Sequence, residues 1–77
     1  MVKKMTIRLK STAEVREFVS KVMSLEDEVD LISDRYIVNA KSILGIYSLN
    51  LSKPLELVAR GNCGDELAVL EKYVVQP

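Results

Sequence analysis

Ser42 stands directly before Ile43, Ile46 and Tyr47, whose spacing predicts a short helix over Ser42 to Leu49. A serine hydroxyl at a helix start can carry a phosphate, because the roughly two negative charges added fall beside free backbone amides. The same residue at the same place also works as a plain N-cap, with no regulatory role. Around Ser42, the side chains of Ile43, Leu44 and Tyr47 can make an apolar patch for a partner. On a helix 43 and 47 share a face, and 44 lies alongside. The competing arrangement puts Ile43 and Ile46 in the core and leaves Leu44 and Tyr47 outside. Lys41 suits an acidic partner and solvent equally well.

Other reactive residue types are sparse. The chain has no histidine, and Cys63 is its only cysteine, so neither a disulfide within the chain nor a cysteine metal cluster can form. Cys63 lies near a predicted helix start, where a thiol pKa can fall. Without a second cysteine or a histidine, a structural thiol is the simpler reading. Glu26, Asp27 and Glu28 read as a solvated acidic connection. No phosphate-cradling glycine loop, metal-ligand spacing or nucleophile–base pair is present. The expectation is a protein that is not an enzyme and takes no metal or cofactor.

The elements that must position Ser42 follow from periodicity. Met5, Ile7 and Leu9 alternate with polar residues, as in a half-buried strand. Val15, Phe18, Val19, Val22 and Met23 then fall on one helix face, ending near Met23 or Ser24. Ser11-Thr12-Ala13-Glu14 reads as a capping box, with Ser11 accepting from the amide of Glu14 and Glu14 reaching back to that of Ser11. Val29–Ser33 and Tyr36–Asn39 form a hairpin around Asp34-Arg35, although Arg35 is not the glycine that such a turn prefers. Leu55, Leu57 and Ala59 alternate as a last strand. A closing helix follows, capped by Asn62 with Asp65 in its first turn, and Leu67, Leu70 and Val74 are its buried stripe. The order β-α-β-β-α-β-α implies an α+β fold with a four-stranded antiparallel sheet and helices on one face.

Residues 1–77 suffice for one domain, with 48% apolar residues available for a small core. Eleven basic and eleven acidic residues cancel, which removes long-range attraction to nucleic acid or anionic membrane. No apolar run reaches the roughly 20 residues of a membrane span, and Met1 to Met5 lacks the apolar continuation of a signal peptide. A cytoplasmic protein, monomer or homodimer, is expected.

Val38 to Leu49, with Asn39, Lys41-Ser42-Ile43, Gly45 and Ser48-Leu49, resembles the regulatory serine segment of HPr, the phosphocarrier of the bacterial sugar phosphotransferase system. The resemblance implies the HPr open-faced β-sandwich, with Ser42 at the regulatory serine. The carriers also have a Gly-Ile-His-Ala-Arg-Pro-Ala run entering the first helix. Here Leu9 to Val15 takes its place, with Ser11 where the histidine stands, Ala13 at the arginine and Glu14 at the proline. A phosphoserine ester is too stable to pass a phosphoryl group on, Ala13 lacks a guanidinium, and Glu14 repels phosphate. This implies a non-catalytic regulatory protein phosphorylated on Ser42 by an HPr kinase/phosphorylase. By likeness to histidine-lacking members of the family, its partner is a LacI-type catabolite control regulator. Ala13 weakens that last step, since the missing arginine belongs to the surface such partners use. The alternative is a degenerate scaffold or self-association module with Ser42 unmodified, pairing through an edge strand that begins at Lys3.

Overall fold

A computed structural model describes residues 1–76. The elements are β1 (Val2–Ile7), α1 (Thr12–Met23), β2 (Glu28–Ser33), β3 (Tyr36–Asn39), α2 (Ile43–Tyr47), β4 (Leu55–Arg60) and a 3-10 helix (Asp65–Tyr73). The strands form one antiparallel sheet in the order β1-β4-β2-β3. Alternation sends Ile7, Val29, Leu31, Leu55, Leu57 and Ala59 to the covered face, where they meet Val15, Phe18 and Val22 of α1 and Ile46 of α2. Each of these larger side chains contributes roughly 1.5–3 kcal/mol by leaving water. The other face is open and carries Arg60, which pairs with Asp30 at 2.8 Å and Glu28 at 3.5 Å. This is the expected open-faced α+β arrangement.

Local chemistry accounts for most boundaries. Ser11 caps α1, accepting from the Glu14 amide at 3.1 Å. Glu14 does not return to the amide of Ser11 as expected. Its Oε1 accepts from the Lys10 amide at 2.8 Å, so the box closes one residue earlier. Met23, expected on the buried face, is exposed: α1 ends there, and Leu25 takes the inward position after the turn. In the hairpin Asp34 takes φ +54°, a left-handed conformation that aspartate tolerates.

The closing segment departs from expectation. It is a 3-10 helix, and its buried residues are Leu67, Leu70 and Tyr73, one every third position. Three residues per turn align that set on one line, which a 3.6-residue period would rotate away. Val74 therefore lies outside the stripe. Asn62 does not cap this helix either; Gly64 holds the N-cap position without a side-chain bond. Phe18 and Tyr73 meet edge to face, with ring centroids 5.4 Å apart.

The acidic connection also differs. Asp27 is 3% exposed, and its carboxylate accepts from the amides of Asn62 at 3.0 Å and Cys63 at 2.9 Å. It is thus a buried clasp between the start of β2 and the turn after β4, and not a solvated charge. Gly61 makes room for it at φ +142°; a Cβ there would sit 2.9 Å from Asp27 Cγ. Cys63 is half-buried at φ +50°, its thiol 3.4 Å from the Ala59 carbonyl.

Two measurements test this account. In urea unfolding, Asp27→Ala is expected to cost about 2 kcal/mol, since two part-buried amides lose a charged acceptor. Gly61→Ala should cost about 2–4 kcal/mol through strain and the clash with Asp27. A loss under about 0.5 kcal/mol for either, with unchanged m-value, refutes the clasp. The second concerns Tyr73, whose hydroxyl donates to Glu17 Oε1. Burial first, and then this bond, raise the Tyr73 phenol well above its ordinary 10.0. The unfolded phenol ionises first, so this contribution is complete below pH 10 and is lost as pH rises beyond it. Wild type should lose thermal stability between about pH 9 and pH 11 faster than Tyr73→Phe; parallel profiles would sink the assignment.

Candidate functional site

Ser42 is exposed and extended (φ −98°, ψ 101°), and its Oγ accepts from the Gly45 amide at 3.1 Å as the N-cap of α2. The preceding turn is built by Asn39. Its side-chain oxygen accepts from the Lys41 amide at 2.8 Å, and its carbonyl accepts from the Ser42 amide at 2.9 Å. The Ala40 amide donates to the Val29 carbonyl at 2.8 Å, so the serine is referenced directly to β2. Gly45 permits the close seating of α2. A Cβ at Gly45 would lie 3.1 Å from Ser42 Oγ and 3.3 Å from Val38 Cβ.

Burial divides the apolar residues of α2 clearly. Ile46 is fully buried, Ile43 is half-buried against the core, and Leu44 and Tyr47 are 80% and 42% exposed. The exposed apolar surface beside Ser42 is therefore Leu44 with Tyr47, and Ile43 adds only an edge. Lys41 is half-buried and donates from Nζ to the Leu25 carbonyl at 3.2 Å. That bond ties α2's entry to the connection after α1, a structural role not anticipated from sequence. Only a pairing between residues 16 positions apart reveals it.

At the other end of α1, Ser11 and Ala13 are exposed and Glu14 is half-buried. The three lie together at the helix start, but Ser11 and Glu14 are engaged in the cap described above. Arg8, which the sequence reading passed over, lies beside them and donates to the Ser52 carbonyl at 3.0 Å. This bond joins the loop entering α1 to the loop leaving α2. Between the two loops lies a cleft of about 370 Å³, with Tyr47 among its lining residues. Tyr47 thus belongs to both the Ser42 helix and the cleft. Among the described residues, no group of three or more His, Cys, Asp or Glu side chains converges to hold a metal, and no helix is long and apolar enough to cross a membrane.

No protein-family model matches the chain, and no curated protein matches it. Solved structures do match it, and two of them are HPr proteins. One is HPr-C-His from Thermoanaerobacter tengcongensis, 28% identical over 91% of each chain with a TM-score of 0.74. The other is the phosphocarrier protein HPr from Bacillus anthracis, 25% identical over 97% of this chain and 96% of that one, with a TM-score of 0.73.

The capping geometry of Ser42 makes a direct prediction. Ser42→Ala should lose about 1 kcal/mol, whereas Ser42→Asp keeps a capping oxygen and should stay near wild type in thermal melts. No loss in Ser42→Ala would mean that the Gly45 bond contributes nothing.

Proposed function

Because the chain is HPr-like in fold and family resemblance, we propose that it is a non-catalytic regulatory protein of the phosphotransferase system. In this reading it acts in the cytoplasm and is phosphorylated on Ser42 by an HPr kinase/phosphorylase. The observation that carries the reading is the exposed Ser42 hydroxyl at the start of α2, with Leu44 exposed two residues on. The chain has no histidine, and Ser11 at the corresponding place would hold a phosphoryl group as a stable ester. A carrier's relay stops there. Phosphorylation of Ser42 instead changes the charge of a surface and leaves the core untouched.

The partner surface in this reading is Leu44 and Tyr47, bordered by Ile43 and Lys41. An apolar centre with a switchable charge at its rim suits a protein partner that reads the phosphorylated state. A LacI-type catabolite control regulator fits by family resemblance. Ala13 itself supplies no guanidinium, so this reading centres docking on α2.

One observation favours the second reading, a scaffold that self-associates with Ser42 unmodified. Tyr36 and Ile37 on the outer strand β3 are 66% and 65% exposed. An open edge with exposed apolar side chains is a pairing surface. The edge expected for this role, β1 from Lys3, is partly occupied, because the Val75 amide donates to the Thr6 carbonyl at 2.9 Å and Val74 bridges Ile7.

Incubation with an HPr kinase and ATP, followed by intact mass and peptide mapping, separates the two. The expected result is one phosphate on Ser42, absent in Ser42→Ala. An unmodified protein beside a fully modified HPr control overturns the switch. A concentration-dependent dimer in sedimentation, lost on Ile37→Lys, then establishes the scaffold.

A further inference from the structure

We propose that the cleft between the loop entering α1 and the loop leaving α2 binds a small organic anion, an apolar or aromatic body bearing one phosphate or carboxylate. The binding is non-covalent and does not depend on the Ser42 reading. At about 370 Å³ the cleft falls in the size range of small-molecule sites. Its apolar walls are Leu9, Tyr47 and Leu51, and both charged residues that line it, Arg8 and Lys10, are cationic. No carboxylate is among its lining residues. Glu14, the nearest in sequence, is folded back onto the Lys10 amide.

Arg8 is the decisive residue. Arg60 and Lys72 each have a carboxylate within ion-pair distance, whereas Arg8 has none among the described residues. Its guanidinium is held by one bond to the Ser52 carbonyl, and its Nε is buried without a hydrogen-bond partner. Nε is the donor left buried without a partner, and the remaining guanidinium N–H groups, not buried, are available to an anion in the cleft that the residue lines. The bond to Ser52 also fixes the side chain beforehand, so little rotamer freedom is lost on binding. The Ser11 Oγ accepts from Glu14 and keeps its own O–H free to donate to a ligand oxygen.

The test is an NMR titration of the isotope-labelled, unphosphorylated protein with phenyl phosphate. Benzoate, inorganic phosphate and benzyl alcohol are titrated in parallel. Saturable shifts confined to residues 8–12 and 47–52 are expected with phenyl phosphate, and comparison with benzoate identifies the preferred anion. Benzyl alcohol and inorganic phosphate should each bind at least about tenfold more weakly, lacking the charge or the apolar body. Arg8→Gln should weaken phenyl phosphate about tenfold or more, with Arg8→Lys recovering part, while amide shifts elsewhere show an intact fold. Absence of saturable shifts with both aromatic anions overturns the proposal. So does benzyl alcohol binding as tightly as phenyl phosphate, inorganic phosphate binding as tightly, or Arg8→Gln binding like wild type.

Discussion

The fold rests on β4 reaching the middle of its sheet. Arg60 lies opposite both Val2 and Glu28, and Leu57 opposite both Met5 and Leu31. Within the sheet β1 and β2 are neighbours only through β4. Loop-closure entropy opposes such a pairing until the central strand gains partners on both sides. The Asp27 carboxylate works at that point. By taking the amides of Asn62 and Cys63 it fastens the turn after β4 to the start of β2, and so sets the register between them. Gly61 is the steric counterpart of that bond, and the two residues are best regarded as one device.

Ser42 is placed by local anchors to β2, to the connection after α1 and to Val38. The Ala40 amide bonds to β2, Lys41 bonds to the connection after α1, and Gly45 lets α2 settle onto Val38. A helix of five residues has almost no stability of its own, so its position comes from these anchors and from Ile46 in the core. Ser42 at one end and Tyr47 at the other then face different neighbours: solvent and Leu44 in one case, the cleft in the other. The loop entering α1 is closed as a helix cap, with Lys10, Ser11 and Glu14 bonded to one another. That loop also lines the cleft, with Arg8 as its half-buried cation.

Much of this was legible in the chain because it depends on near neighbours. The caps of Ser11 and Ser42 need a hydroxyl and an amide three residues away, and both were readable. The alternation of β1 and β4 was readable for the same reason. Asp27 was misread because its partners are 35 and 36 residues distant, and an acidic run looks solvated until something is brought against it. Arg8 was overlooked because alternation makes it merely the polar residue between Ile7 and Leu9. The closing helix was mistaken in type because Leu67 and Leu70 fit either helical period. Only the choice of Tyr73 over Val74 as the next buried residue separates the two.

The sequence by itself determined the order of elements, the absence of histidine, and the capping serines at both α-helices. Each of these is a matter of residue type or of contacts within one turn of chain. The tertiary structure alone decided that Asp27 is a buried clasp and that Lys41 is bound to a carbonyl. It also decided that Leu44 and Tyr47 rather than Ile43 are exposed, and that Arg8 lines a cleft with no carboxylate in ion-pair distance among the described residues. These are properties of groups distant in sequence, and a carboxylate or guanidinium has no assigned partner until packing supplies or withholds one.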